Sequence, residues 1–112
     1  MKHAIVNGVE ISGEAVQFEL DRLVRFYMSH GMSMDEVKQN LPKLEEKALL
    51  VVDYGGKART LTLDVKGAAA VKACSVLDYT RDLAQQAATL KDGQLTLEKA
   101  DDNSAAFFVE FE

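Results

Sequence analysis

The order of apolar and polar residues near the start of the chain predicts a β-hairpin. Asn7-Gly8 lies between two short apolar runs, residues 4–6 and 9–11. A type I′ turn needs positive φ at both central residues, and Asn-Gly is a preferred pair for it. Residues 4–11 are therefore predicted to form two antiparallel strands joined by a two-residue turn.

The hairpin leads into a segment with helical periodicity. From Gly13 to about His30, apolar residues recur at three- and four-residue spacing, as in an amphipathic helix with one buried stripe. Ser12 is placed to cap this helix, and Gly31 is placed to end it. The stripe consists of Val16, Leu20, Leu23, Val24 and Tyr27.

Two further helices are predicted before residue 56. Ser33-Met34-Asp35-Glu36 has the form of a capping box and opens a short helix. Pro42 suits the first turn of the next helix, Lys43 to about Tyr54, which Gly55-Gly56 would close. The apolar run within this helix, residues 49–52, suits a buried strand as well, because four residues do not reveal a period.

After the glycines the pattern predicts a β-α-β-β unit. Apolar and polar residues alternate over residues 60–65, as in a strand with one buried face. Residues 67–93 have the spacing of a long, alanine-rich helix that packs against the sheet. Alternation returns on both sides of residues 100–104, which predicts a closing hairpin. Its apolar positions are Leu95, Leu97, Phe107, Val109 and Phe111.

The expected fold class is therefore α+β. Residues 1–56 are expected to form the hairpin and a helical arm. Residues 57–112 are expected to form a small antiparallel or mixed sheet packed on the long helix. The two units are short enough to share one core, and the boundary between them is placed in residues 54–58.

Composition narrows the possible partners. The chain has 112 residues, 47% of them apolar, and a net charge of −5. This composition is typical of a globular domain, and the acidic balance argues against nucleic acid as a partner. A domain this small gains stability from a partner subunit, so a homodimer is expected. No cofactor is expected.

The expected cellular compartment is inferred from the apolar runs and from the first residues of the chain. No apolar run reaches the length of about 18 residues that a membrane span requires, and residues 1–4 do not resemble the start of a signal peptide. The protein is expected in the cytoplasm, or in the periplasm if a signal peptide has been removed. The single cysteine, Cys74, is expected to be a small buried apolar group.

The first half of the chain resembles a known family. Val6-Asn7-Gly8-Val9-Glu10-Ile11-Ser12, the helix after it and residues 41–49 resemble the N-terminal region of SurA-like and parvulin-type peptidyl-prolyl isomerases. The resemblance covers residues 5–52 and implies a chaperone-like surface that holds unfolded polypeptide. The isomerase signature, an "R-H-I-L" strand and a "G-G-D-L-G" loop, is absent, so no catalytic residue is carried over.

Candidate chemistry is sparse. Residues 28–34 bring three methionines and His30 together at a predicted turn. Three interpretations remain open for them: packing, an adaptable contact surface, or a Cu(I) site. Residues 101–103 have oxygen ligands for calcium but are also ordinary turn formers. Asp78 and Asp82 would share one helical face, where a solvated surface is the simpler interpretation than acid-base catalysis.

The last strand, residues 106–112, has apolar side chains on both faces. At a sheet edge such a strand would recruit a second chain, whereas helices covering each of its faces would bury it. The expected function is a non-enzymatic polypeptide-binding or assembly module. The residues predicted to contact the bound polypeptide or partner are Leu20, Tyr27, Met28, Met32, Met34, Phe107, Val109 and Phe111.

The alternative function is a small ligand-binding domain or enzyme. Its pocket would lie between the long helix and the sheet, with Asp78, Tyr79 or Arg81 at the mouth.

Overall fold

The computed structural model describes residues 3–27, Asp35 and residues 47–112. This part of the chain consists mainly of strands. Its elements are β1 (His3–Val6), β2 (Val9–Ser12), α1 (Glu14–Tyr27), β3 (Ala48–Asp53), β4 (Arg59–Asp64), β5 (Val71–Asp78), β6 (Asp82–Gln85), β7 (Ala88–Lys91), β8 (Gln94–Lys99) and β9 (Ala105–Phe111).

The strands form two sheets. The main sheet has six strands in the order β2-β1-β3-β9-β5-β6, and the small sheet has three in the order β4-β8-β7. β1 and β3 run parallel, while the other paired strands are antiparallel. β9, the last strand in the chain, lies in the middle of the main sheet. Strands from both predicted halves therefore belong to one sheet.

The main sheet separates two apolar layers. The helix-side layer lies between the main sheet and α1, where Val16 and Leu23 of α1 pack with Leu50 and Phe108. The inter-sheet layer lies between the main and small sheets, and there Phe107 is fully buried. The fold thus has three layers, with the main sheet in the centre.

Three local predictions are confirmed. The hairpin β1–β2 has its turn at Asn7 (φ 48°) and Gly8 (φ 83°), the left-handed pair that a type I′ turn requires. α1 begins at Glu14 within the predicted helix, and its buried residues Val16 and Leu23 belong to the predicted stripe. β4 (Arg59–Asp64) includes residues 60–64 of the strand predicted at residues 60–65.

The predicted α+β fold class is wrong, because the described residues form mostly sheet, with α1 as a single short helix of 14 residues. Residues 67–93, predicted as one long helix, form β5, β6 and β7. β5 pairs with β9 on one side and β6 on the other, and both of its faces are covered near residues 76–78. This tertiary pairing overrides the helical preference of the alanines.

The helix predicted at residues 43–54 is also wrong, and the strand alternative is correct. All six residues of β3 are buried, since α1 covers one face and the small sheet covers the other. A strand buried on both faces has a continuous apolar run without alternation. The short helix predicted from Ser33 lies outside the described residues except for Asp35, which is helical.

The closing hairpin was a wrong prediction as well. β8 pairs with β4 and β7 in the small sheet, while β9 pairs with β3 and β5 in the main sheet. The hairpin that does form is β7–β8, with Asp92 (φ 51°) and Gly93 (φ 76°) at its turn. Within the described residues, no helix is long and apolar enough to cross a membrane.

Candidate functional site: a groove beside strand β4

The small sheet leaves one side of the main sheet open. On one side the chain passes directly from β6 to β7, where Gln86 N donates a hydrogen bond to Cys74 O at 2.9 Å. On the other side β4 is the last strand of the small sheet, and it faces β1 and β3 across a gap. Among the described residues, nothing closes the layer between the sheets along β4.

Two clefts occupy this opening and meet at Ile5, which lines both of them. The larger has a volume of about 840 Å³ and the smaller about 220 Å³. Together they are called the β4 groove. Its apolar lining comes from β1, β3, β4, the residue after β4, and the end of β9, namely Ile5, Leu49, Val51, Leu61, Leu63, Val65 and Phe111.

The backbone of β4 is paired on one side. Val65 N donates to Gly93 O at 2.9 Å, which continues the regular β4–β8 ladder. Because backbone groups alternate in direction along a strand, the odd-numbered residues of β4 face β8. The amides and carbonyls of Thr60, Thr62 and Asp64 therefore point to the opposite edge, where no described strand pairs with β4.

β4 has less protection than the other edge strands of the described sheets. β2, β6 and β7 have four residues each, whereas β4 has six. The β5–β6 ladder is irregular, and Leu83 in β6 has a positive φ of 53°. The β4–β8 ladder is regular, and β4 carries charges only at its two ends. Long, regular edge strands of this kind are the ones that accept another strand.

The side chains of β4 divide between its two faces. Leu61 and Leu63 point into the layer between the sheets, while the alternate residues form polar pairs with β8 on the outside. Thr60 Oγ1 donates to Glu98 Oε1 at 2.8 Å, and Gln94 donates to Asp64. One apolar face beside an open edge is the arrangement that an added strand would extend.

A charged cluster closes one end of the groove. Asp53, at the end of β3, lies 3.3 Å from Arg59 Nη2 and 3.8 Å from Lys99 Nζ. The side chain of Lys99 is 0% exposed, and its ammonium donates to the carbonyls of Gly55 (2.6 Å) and Lys57 (3.2 Å). Lys99 thus fixes the β3–β4 loop, which sets the position of β4.

Further hydrogen bonds hold the same loop. Asp102 Oδ1 accepts from Ala58 N at 2.8 Å, and Ser104 Oγ accepts from Gly55 N at 2.8 Å. The hydrogen bond from Ala58, followed by that from Lys57, lowers the pKa of the Asp102 carboxyl. Residues 101–103 therefore anchor the loop. The described residues contain no group of three or more His, Cys, Asp or Glu side chains that could hold a metal ion.

The end of β3 is tied to α1 through Tyr54, the residue after the strand. The hydroxyl of Tyr54 donates to Glu19, whose side chain is buried, and Arg22 lies over the Tyr54 ring at 4.3 Å from its centroid. Burial, together with the bond to Glu19, raises the pKa of Tyr54. Asn7 Oδ1 accepts from Tyr54 N at 2.8 Å, so the hairpin turn, α1 and the β3–β4 loop are held together at this end.

The other end of the groove carries charges of both signs. His3 Nδ1 lies 3.5 Å from Glu10 Oε1. Lys47, Asp64 and Lys66 line the larger cleft with them. The mixture gives no net field that would select a strongly acidic or strongly basic ligand.

The predicted contact residues lie in different places. Phe107 and Val109 are fully buried in the inter-sheet layer, while Phe111 is half-buried and lines the larger cleft. Leu20 packs partly buried against the helix-side layer. The side chain of Tyr27, together with Met28, Met32 and Met34, lies outside what the structure describes. Phe111 is therefore the predicted contact residue that reaches the groove within the described part.

Asp78 and Arg81, predicted at the mouth of a pocket in the alternative function, form an ion pair in the β5–β6 turn. The long helix that would form the wall of that pocket is replaced by strands. Asp78 Oδ2 accepts from Arg81 Nε (3.0 Å) and Nη2 (2.8 Å), and its other oxygen accepts from Thr80 N (3.0 Å). Burial acts to raise the pKa of Asp78, but these hydrogen bonds outweigh it and the pKa is lowered. The pair stabilises the β5–β6 turn.

Cys74 is buried, as expected. It belongs to the inter-sheet layer, and burial raises the pKa of its thiol to about 11. The reactive thiolate is therefore scarce at neutral pH.

Several residues of the site escaped prediction. Asp53 and Lys99 meet only because β3 and β8 come from distant parts of the chain, so no local pattern indicates them. The β7–β8 hairpin did have a signal, because Asp92-Gly93 between alternating residues is a strong hairpin pattern. This pattern indicates a strand before residue 92 in place of the end of a helix, and it pairs that strand with β8.

The comparisons with known proteins found no match: no family model, no curated protein and no solved structure is similar to this chain by these comparisons. The resemblance of residues 5–52 to the SurA-like proteins therefore stays a prediction. The function has to be argued from the β4 groove.

Proposed function

We propose that this protein is a non-enzymatic, chaperone-like module that binds extended polypeptide segments by adding them as a strand beside β4. The observation that carries the proposal is the edge of β4, with which no described strand pairs, next to an apolar groove. A strand that pairs with this edge uses its backbone for affinity and alternate side chains for contact with the groove.

The chemistry of the groove supports binding with little sequence selectivity. Backbone hydrogen bonds are the same for nearly every residue type, and each contributes only about 0.5–1.5 kcal/mol net. The lining offers aliphatic side chains such as Ile5 and Leu63 and the ring of Phe111, which accept any apolar residue. We therefore expect weak, reversible binding of apolar segments, as a chaperone-like protein requires.

The resemblance of the first half to chaperone arms supports the same function. Ile5, in the resembling region, lines both clefts of the groove. Unfolded polypeptide is present in the cytoplasm and in the periplasm, so the proposal applies to either expected compartment.

The decisive experiment removes one backbone donor from the open edge. Thr62→Pro eliminates the N–H that points away from β8, and Thr62→Val is the matched control that retains it. Binding is measured by fluorescence anisotropy, using a labelled peptide of alternating valine and threonine. We expect Thr62→Val to bind the peptide with the affinity of the unmodified protein. Thr62→Pro is expected to bind it at least about tenfold more weakly.

Two results would contradict this function. Equal affinity of the proline and valine variants would show that the β4 edge is not used. Failure of the unmodified protein to bind the peptide, or to slow aggregation of an unfolded client at equal concentration, would reject polypeptide binding altogether.

A homodimer through the same edge is the second candidate. It is favoured by the unprotected length of β4, because two copies of an edge strand can pair antiparallel about a two-fold axis. Light scattering over a range of concentrations tests it. A molecular mass that doubles with concentration, and does not do so in Thr62→Pro, supports the dimer, and a constant monomer mass rejects it.

A further inference from the structure

The smaller cleft of the groove contains a buried carboxylate oxygen that lacks a hydrogen-bond donor. Asp53 lines this cleft and is 5% exposed. Its Oδ1 accepts from Arg59, but Oδ2 has no hydrogen-bond partner among the described residues. A buried acceptor that is left unpaired costs about 1–3 kcal/mol, so a ligand donor that reaches it is favoured.

The charges around Asp53 indicate which kind of donor fits. Lys99 Nζ is 3.8 Å from Oδ2, which neutralises the charge but is too long for a hydrogen bond. Arg59 supplies a second positive charge at Oδ1. With two cations already present, a third would be repelled, whereas a neutral O–H or N–H group would not.

The rest of the smaller cleft is largely apolar. Ile5, Val51, Leu61 and Leu63 line it, so a ligand side chain must present an apolar body to them. Arg59, which holds the other oxygen of Asp53, has a side chain that is 56% exposed. Because the Asp53 carboxylate is buried, removing this guanidinium would leave Oδ1 unpaired as well, at a cost of about 1–3 kcal/mol, so the ligand donor is expected to bind Oδ2 with Arg59 still in place. A side chain with an apolar ring and a neutral hydroxyl at its tip meets these conditions.

We propose that the smaller cleft selects a tyrosine in the bound segment and that the tyrosine hydroxyl donates a hydrogen bond to Asp53 Oδ2. This inference rests on the proposed binding of extended segments at β4, and it adds a preference to an otherwise permissive groove. Along β3, Asp53 points to the same side as Val51 and Leu49, because side chains on one face recur at every second residue. The tyrosine therefore takes one inward position of the segment, and apolar residues take the next ones.

The test compares peptides that differ in one oxygen atom. A host peptide of alternating valine and threonine carries one tyrosine, which is moved through the inward positions in turn. Each peptide is compared with its phenylalanine and lysine analogues by isothermal titration calorimetry. A hydrogen bond to a buried charged group predicts that the best tyrosine peptide binds about tenfold more tightly than its phenylalanine analogue. The lysine analogue is expected to bind more weakly than both.

The variant Arg59→Gln adds a control on the protein side. It keeps Asp53 and Lys99 paired, whereas Asp53→Asn would leave the buried Lys99 without its counter-charge and could unfold the protein. We expect the preference for tyrosine to persist in Arg59→Gln, because the hydroxyl is bound by Oδ2 whereas Arg59 holds Oδ1. Loss of the preference in this variant would show that Arg59, and not Asp53, recognises the ring.

The outcomes separate this inference from the proposed function. If tyrosine and phenylalanine peptides bind equally, or lysine binds best, the tyrosine site is rejected and strand addition at β4 stands. If no peptide binds, both are rejected. An affinity for the tyrosine peptide that is the same in Thr62→Pro as in the unmodified protein would place the tyrosine site outside the strand-addition mode and overturn the inference as stated.

Discussion

Strands β9 and β4 differ in how their apolar residues are distributed between the two faces of the strand. β9 has large apolar residues on both faces and pairs with β3 on one side and β5 on the other. β4 has apolar residues on one face only, pairs with β8 alone, and borders the groove. The more apolar strand, β9, is therefore paired on both edges, whereas the less apolar strand, β4, lies at the edge of its sheet.

The difference shows what a doubly apolar strand means. Phe107 and Val109 fill the inter-sheet layer, while Phe108 fills the helix-side layer, so β9 needs a partner layer on each face. Only a central strand has both layers, which is why such a sequence is typical of the middle of a sheet. An edge strand with one apolar face is open to a second chain because of its backbone and not because of its hydrophobicity.

A proline placed in each strand tests whether β9 is the central strand and β4 the edge strand. Val109→Pro removes a ladder hydrogen bond and disturbs both layers, so we expect it to lower the free energy of unfolding by about 3 kcal/mol or more. Thr62→Pro removes a donor that faces the open edge, so we expect a loss below about 1 kcal/mol. Urea denaturation followed by circular dichroism measures both. Similar losses in the two variants would contradict the assignment of β4 as the edge.

A second test compares two phenylalanines in β9. Phe107 is fully buried, whereas Phe111 is half-buried and lines the groove. Phe107→Ala is expected to lower the free energy of unfolding by about 3–5 kcal/mol, and Phe111→Ala by about 1–2 kcal/mol. Peptide affinity, measured under conditions where both variants are folded, is expected to fall only in Phe111→Ala. The reverse pattern of affinities would separate the groove from peptide binding.

A third test concerns the start of β9, where Ala105 pairs with Asp78. The lowered pKa of Asp78 means that its ionised form stabilises the fold above the unfolded value of 3.8, and this stability is lost as the pH falls through the lower folded value. Asp78→Asn should therefore lower the free energy of unfolding by about 1–2 kcal/mol at pH 7, and the difference should shrink below about pH 3.8.

Thermal denaturation of both proteins between pH 2 and 8 would measure that change. Asp78 does not line the groove, so peptide affinity at pH 7 should stay constant. A stability difference that is independent of pH would assign the role of Asp78 to packing instead of charge.

Part of the candidate site was foreseeable from local patterns. The residues of β4 were predicted as a strand, and Phe111 was predicted to contact a partner. Asp53 and Lys99 were not predicted, because they become neighbours only when β3 and β8 pack face to face. The groove itself results from the order of the strands, which places β4 at an edge over β1.

The first turn, the helix α1 and the strand β4 depend on residues that are close together in the sequence, so the sequence alone predicts them. Asn7-Gly8 set the first turn through its backbone preference, the three- and four-residue spacing set α1, and the two-residue period set β4. These features need only contacts within a few residues, so they can be read without knowing the rest of the fold.

The tertiary structure decided the conformations of β3 and β5 and the position of β9. The alanines of residues 67–93 and the apolar run 49–52 are compatible with helix as well as strand when taken alone. Their backbones became strands because pairing with β9 satisfies hydrogen bonds along one edge of each, while α1 and the small sheet bury the two faces of β3. Only long-range pairing could decide this, since β9 lies about 30–60 residues away from its two partners along the chain.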